Sequence, residues 1–293
     1  ADAGPMPRSF PAAIGAFLAP ADTGRRGAMD YTGYRELDIS RDGRLLSVRF
    51  NRPDALNAVN AGMHAELARI FYDIALDEAT DVVVLTGAGK AFCAGGDIGW
   101  MQTMRTAPGG MASIHVEGKR IIYGLLDLEK PVICRLNGDA VGLGATIALF
   151  CDTVIAADTA RIGDPHVRVG LVAGDGGAVI WPQLVGHIRA KEFLMTGDLA
   201  SAPEAAAMGL INRAVPAQAL DAEVKKLADK LLRGAQHAIR WSKLSVNLSL
   251  KQLAHTILEA SIAYEIASSA MPDHAEAVAA FAEGRRPVFG KHR

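Results

Sequence analysis

Two glycine-bearing turns carry the first chemical suggestion in this 293-residue chain. One runs Ala91-Phe92-Cys93-Ala94-Gly95-Gly96-Asp97-Ile98, the other Asn137-Gly138-Asp139-Ala140-Val141-Gly142-Leu143-Gly144-Ala145-Thr146. Each lies downstream of a short apolar run of strand type. Glycine lets the backbone approach a ligand closely, and a helix that starts at such a turn presents free N–H groups. Two of these turns side by side can aim two backbone donors at one oxygen, which is the construction of an oxyanion hole. Glycines serve plain strand-to-helix turns equally well, so either segment alone is open to both readings. Neither is a phosphate loop, because no glycine is followed after four residues by Gly-Lys-Ser/Thr. Ile147 also stands where a dinucleotide fingerprint needs its third small residue. Cys93 has no basic neighbour to activate it and reads as packing.

The elements that must position these turns follow from periodicity. Leu45 to Phe50, Val82 to Thr86, Val132 to Leu136 and Thr153 to Ala157 read as strands. Val82 to Thr86 is continuously apolar and β-branched, the pattern of a strand buried on both faces. Segments of helical length lie between the runs, at roughly 61–79, 109–128 and 143–151. Alternation of this kind predicts an α/β fold with a mainly parallel sheet. Beyond about Pro203 strand-like runs vanish, and helices are predicted over Ala219 to Leu232, Ala235 to Asn247, Leu250 to Ser269 and His274 to Glu283. The resulting division is a disordered leader over 1–30, an α/β core over 31–200 and a helical oligomerisation region over 201–293.

Charge excludes little but demotes much. Lys plus Arg total 31 against 32 for Asp plus Glu, giving a formal net charge of −1, so no whole-chain footprint for nucleic acid is present. Three cysteines form no CxxC pair and no disulfide framework. No stretch reaches the roughly 18 apolar residues of a membrane span. The proline- and alanine-rich start lacks the compact apolar run of a secretory signal. The expectation is a cytoplasmic protein with neither a membrane nor a nucleic-acid partner.

Taken together with their surroundings, the two turns resemble the enoyl-CoA hydratase/isomerase, or crotonase, family. The resemblance runs through Asn51-Arg52-Pro53-Asp54-Ala55-Leu56-Asn57-Ala58, Gly87 to Asp97, Lys130-Pro131-Val132-Ile133 and Asn137-Gly138 to Ala148. It continues in Cys151-Asp152, Ala160-Arg161-Ile162-Gly163 and the closing Gly284-Arg285-Arg286-Pro287-Val288-Phe289. It implies a spiral of ββα units with a C-terminal helical trimerisation region, assembled as a homotrimer or as a hexamer of paired trimers. It also implies an acyl-CoA substrate whose enolate oxygen is held by the backbone N–H groups of Gly96 and Leu143. Ala58 falls where the family cradles coenzyme A, and Ala94, Asp97 and Thr146 are placed with it at the substrate. Asp97 can also cap the helix that follows it. No metal is implied, and no cofactor beyond the coenzyme A of the substrate itself.

Two positions depart from the family pattern. Thr146 and His166 stand where its hydratases carry their two catalytic glutamates. Hydration needs one group to activate water and another to protonate the α-carbon. His166 and Asp175, nine residues apart, are the candidate replacements, since a histidine beside a carboxylate makes an oriented base near neutral pH. Asp164-Pro165 and Asp175-Gly176 are also ordinary turn dipeptides. A minority branch resembled here, the β-diketone hydrolases, uses a histidine and an aspartate at this spacing for retro-Claisen cleavage. The readings are therefore an enoyl-CoA hydratase or isomerase, a β-diketone hydrolase using His166 and Asp175, and a non-catalytic binder of coenzyme A. His64, in Met63-His64-Ala65-Glu66, reads as a solvated or capping residue, His115 as a lesser candidate for the pocket, and Trp100 with Met101 as acyl-pocket lining.

Overall fold

The computed structural model describes residues 27–290, so all but the last four positions of the expected leader over 1–30 lie outside the described residues. A six-stranded sheet forms the centre, in the order β1-β2-β3-β4-β6-β9. Its members are β1 (Leu37–Asp42), β2 (Leu45–Phe50), β3 (Val82–Gly87), β4 (Val132–Leu136), β6 (Thr153–Ala157) and β9 (Arg213–Val215). Only the β1–β2 pair is antiparallel. A smaller sheet joins β5 (Ala140–Val141), β7 (Arg161–Gly163) and β8 (Leu199–Ser201). The α/β class expected from the alternating pattern is the one found.

The two faces of β3 explain its unbroken apolar sequence. Val83 and Leu85 enter the main core, whereas Val82 and Val84 enter a second cluster on the opposite face. The main core packs the sheet against α1 (Ala61–Leu76), α3 (His115–Asp127) and α4 (Leu143–Phe150). The second cluster is closed by α7 (Leu220–Leu232) through Leu220, Val224 and Ala228. A strand sandwiched in this way must be hydrophobic on both sides.

Four differences from the expected elements have physical causes. The helix predicted at 109–128 is α3 alone, preceded by a separate α2 (Ile98–Thr106) and a short 3₁₀ turn, Gly110–Ile114. The long α5 (Gly177–Thr196) was not anticipated, because Pro182 and a kink at Gly186 (φ 77°) blur its period. The region after 200, expected to be purely helical, contributes β9 to the edge of the main sheet beside β6, besides α6 (Ala202–Ala207). The two helices predicted over 235–269 are one, α8 (Gln236–Ser269), followed by α9 (Pro272–Ala282). The polar stretch Asn247 to Ser249 does not break α8, since Asn247 Nδ2 donates to the Leu126 carbonyl at the end of α3 (3.1 Å). Among the described residues no helix is long and apolar enough to cross a membrane.

Candidate active site

The two glycine turns leave the C-terminal ends of the parallel neighbours β3 and β4, the edge where open α/β sheets collect ligands. They meet there. Cys93 pairs with Ala140 as an isolated bridge, and the Val141 N–H donates to the Cys93 carbonyl (2.9 Å). Gly95 adopts φ 88°, and a Cβ there would lie 3.0 Å from the Val141 carbonyl. Gly144 has no room for a side chain either, since a Cβ would lie 2.6 Å from that of Cys93. Cys93 is thus the packing piece between the turns, its thiol pushed up to about 12 by complete burial.

Gly142 (φ 56°) caps α4, so Leu143 opens the helix with a free N–H. Gly96 and Leu143 line one cavity, and among the described residues neither N–H has a hydrogen-bond acceptor. Leu143 is buried and Gly96 half-buried, and two unpaired amides that border one cavity are suited to an anionic oxygen.

Side chains from three further segments close on the same cavity. His166 opens the 3₁₀ turn His166–Val169 just beyond β7 and is 8% exposed. Its ring reaches the second glycine turn, because a Cβ on Gly142 would lie 3.5 Å from His166 Cε1. Its Nδ1–H donates to Asp164 Oδ1, and its Nε2 lies 3.6 Å from Asp175 Oδ2. Burial would lower the His166 pKa, but the charges of Asp164 and Asp175 outweigh it and raise the value well above 6.5. The two carboxylates thus favour the protonated form of the ring. Asp175 is raised above the ordinary aspartate value by burial, against the opposing pull of His166.

The third segment is α8. Its Glu265 lines the cavity and is only 7% exposed. Burial, reinforced by the charge of Asp175, raises it to about 8, so it holds its proton at neutral pH. Close packing delivers it to the site. Ser261 Oγ donates to the Gly174 carbonyl (2.9 Å), and a Cβ on Gly174 would lie 2.6 Å from the Glu265 Cβ. The loop bearing Asp175 is thus seated directly on the helix bearing Glu265.

Several anticipated residues fall elsewhere. Thr146, expected at the substrate, is fully buried and stands behind Asp175, with its hydroxyl donating to Asp175 Oδ1 (3.3 Å). Asp97 is not on the cavity wall; it caps α2 by accepting from the Trp100 N–H (3.1 Å) and pairs with Arg52 (3.2 Å). Ala94 is half-buried and donates its N–H to the Leu56 carbonyl (3.1 Å). Ala58, also half-buried, offers its carbonyl to the Arg52 guanidinium, so both alanines flank the first turn. His64 is the clear correction. Far from being solvated, it is buried, lines the cavity and binds Glu117 Oε2 through Nδ1 (2.7 Å). Trp100, Met101 and His115 line the cavity as well.

Asp164, Glu265 and Glu117 were not among the expected site residues. For Glu265 a signal existed, because it continues the buried stripe Leu258, Ser261 and Ile262 at helical spacing. A carboxylate on such a stripe needs a reason. His64 likewise shares the buried face of Leu67 and Phe71.

Asp164, His166 and Asp175 place potential metal-ligand atoms within 4.8 Å of one another. The two carboxylates address opposite nitrogens of a single ring, however, Asp164 by a hydrogen bond to Nδ1 and Asp175 at ion-pair distance from Nε2, so the arrangement is a relay through the ring rather than a set of ligands converging on a point.

Comparison with known proteins bears on what this cavity does. The family described as Enoyl-CoA hydratase/isomerase matches residues 41–292. The Short-chain-enoyl-CoA hydratase of Clostridium acetobutylicum is 36% identical over 258 residues, covering 87% of this chain and 97% of that protein. An enoyl-CoA hydratase/isomerase structure from Mycobacterium paratuberculosis superposes with a TM-score of 0.80 at 36% identity, covering 83% and 97% of the two chains. A beta-diketone hydrolase from Anabaena, solved with (S)-3-oxocyclohexyl acetic acid, reaches a TM-score of 0.76 at 29% identity, covering 82% and 96%.

Proposed function

Since the chain belongs to the enoyl-CoA hydratase/isomerase family, we propose that it acts on an acyl-CoA thioester through an enolate held by the Gly96 and Leu143 N–H groups. One observation carries this reading. Two carboxyl groups, the half-buried Asp175 and the buried Glu265, face the same cavity as the two unpaired amides. A pair of carboxyl groups beside a developing oxyanion supplies the acid and base positions that an enolate reaction needs.

Both glutamates of the usual hydratase pair are absent from their places, occupied here by Thr146 and His166. The relay supplies the missing chemistry from other positions. Asp175 takes a proton, either from the substrate carbon or from a water that adds to the double bond. The electron pair moves toward the thioester oxygen, where the two N–H groups and the nearby His166 imidazolium stabilise the charge. Glu265 then returns a proton to carbon. Asp164 keeps His166 oriented and charged, and Thr146 steadies Asp175. Coenzyme A enters as part of the substrate, past Ala58 and Ala94 beside the first turn.

A second reading is a β-diketone hydrolase, favoured by the Asp164–His166–Asp175 relay and by the beta-diketone hydrolase of similar fold. One set of measurements separates the two. Enoyl-CoA esters of several lengths should lose their enoyl absorbance, and saturated acyl-CoA in deuterated water should gain deuterium at the α-carbon. Cleavage of a cyclic β-diketone, with neither effect on any thioester, would establish the second reading instead.

We also propose a trimer or hexamer built through the C-terminal helices. Supporting it, α8 exposes Trp241, Val246, Leu248 and Tyr264, which no partner in the single chain covers. Sedimentation should give a mass of about three or six times 30.9 kDa; a stable monomer at micromolar concentration would refute the assembly.

A further inference from the structure

We infer that His64 and Glu117 form a recognition point for an oxygen atom carried on the acyl chain of the substrate. This inference rests on the acyl-CoA reading above and names a substrate class within it. The lining concerned comes from α1, α2, the 3₁₀ turn Gly110–Ile114 and the start of α3, elements other than those that bear His166, Asp175 and Glu265. It is apolar, with Trp100, Met104, Met111 and Ile114, except for two imidazoles, His64 and the half-buried His115, whose Nδ1 is bonded to the Ala112 carbonyl of its own turn.

The His64 side chain is 5% exposed, and Glu117 fixes its Nδ1 from the neighbouring helix. Glu117 is held below the usual glutamate range, first by that hydrogen bond, and so remains charged. Trp100 limits the ring from another side, with centroids 5.3 Å apart. The imidazole is thus oriented from two elements. Its other nitrogen, Nε2, has no partner among the described residues, yet the residue borders the cavity. A plain alkyl chain against this wall would strip Nε2 of water and return nothing. A hydroxyl can donate to Nε2 when the imidazole is neutral, and a carbonyl can accept from it when the ring is protonated. Either oxygen converts this buried, pre-oriented imidazole nitrogen into a specificity contact.

The test compares kcat/KM for hexenoyl-CoA with its hydroxy- and oxo-bearing counterparts of equal length. The wild-type protein should prefer at least one oxygenated thioester by about tenfold or more. His64→Asn keeps an amide near the Nδ1 position for Glu117 but has nothing at Nε2, and should bring the ratio close to one. His64→Gln carries an amide out to the Nε2 position and should restore part of the preference. Which oxygenated ester is preferred reports whether Nε2 accepts or donates. Equal use of all three thioesters by the wild type, or an unchanged ratio in His64→Asn, overturns the inference. Calorimetry with the saturated counterparts separates the two levels. A binding preference for the oxygenated ester without turnover refutes the proposed reaction and keeps the recognition point; no thioester binding refutes both.

Discussion

Asp164 grips His166 from the protein side, and its second oxygen, Oδ2, is buried without a partner among the described residues. A Cβ on Gly177 would lie 2.2 Å from that oxygen, so only glycine at the start of α5 lets the carboxylate sit there. The N-terminal end of a long helix favours negative charge, which offsets part of the cost of the unpaired oxygen.

Replacing Asp164 by Asn should lower the pKa of His166, which its charge helps to raise. The sign for stability follows. A histidine raised in the folded state contributes fully below its ordinary 6.5 and loses that contribution as pH rises through the raised value. The variant should therefore lose most stability on the acid side of that window. Proton NMR of the His166 ring checks the shift directly; an unmoved titration would mean that Asp164 does not control the ring's charge.

Asp175→Asn keeps the shape and the Thr146 contact but removes the acceptor. Turnover should fall by roughly 100-fold or more, within the range of a lost general base, while acyl-CoA affinity stays close to wild type. Measuring both on one preparation separates chemistry from binding. Near-normal turnover would reduce Asp175 to a turn residue.

Glu265→Gln tests the proton donor through pH. The buried carboxyl is raised to about 8, so in the wild type it contributes stability below the ordinary glutamate range and loses it as pH rises through about 8. Melting temperature should decline across this window in the wild type and decline less in the Glu265→Gln variant. Activity in the variant should drop and lose its alkaline limb near that pH. Parallel melting profiles for the two proteins would place Glu265 outside the titrating set.

Gly96→Pro removes one of the two amide donors, which typically costs on the order of 100- to 1000-fold in turnover. Gly96→Ala is the control, because its Cβ would meet only the terminal methyl of Met101, at 2.4 Å, and that flexible side chain can yield. Alanine should therefore lose far less than proline. Equal losses in both would point to crowding instead of the N–H group.

The strands and the paired glycine turns were legible because their signals are local. Val82 to Gly87 announces burial on two faces, and the glycines sit where backbones touch. His166 and Asp175 were legible only through the family resemblance, His166 standing where its hydratases carry a glutamate and Asp175 nine residues on. The relay's third member was harder to see. Asp164 reads as a turn residue until the ring of His166 is placed beside it. Glu265 and His64 were hidden because each lies on a helix whose sequence reads as ordinary amphipathic pattern. Only packing across distant segments, Gly174 on α8 and Glu117 on His64, turns them toward the cavity.

The absence of a side chain at Gly174 has a mechanical consequence. The loop of Asp175 and the helix of Glu265 meet there with nothing between them, while Thr146 of α4 holds Asp175 from the core side. A shift of α8 therefore presses on this loop through Gly174 as well as moving Glu265 itself. The placement of Asp175 and of Glu265 relative to Gly96 and Leu143 thus depends on one seam, and a side chain added at Gly174 should disturb both carboxyl groups at once.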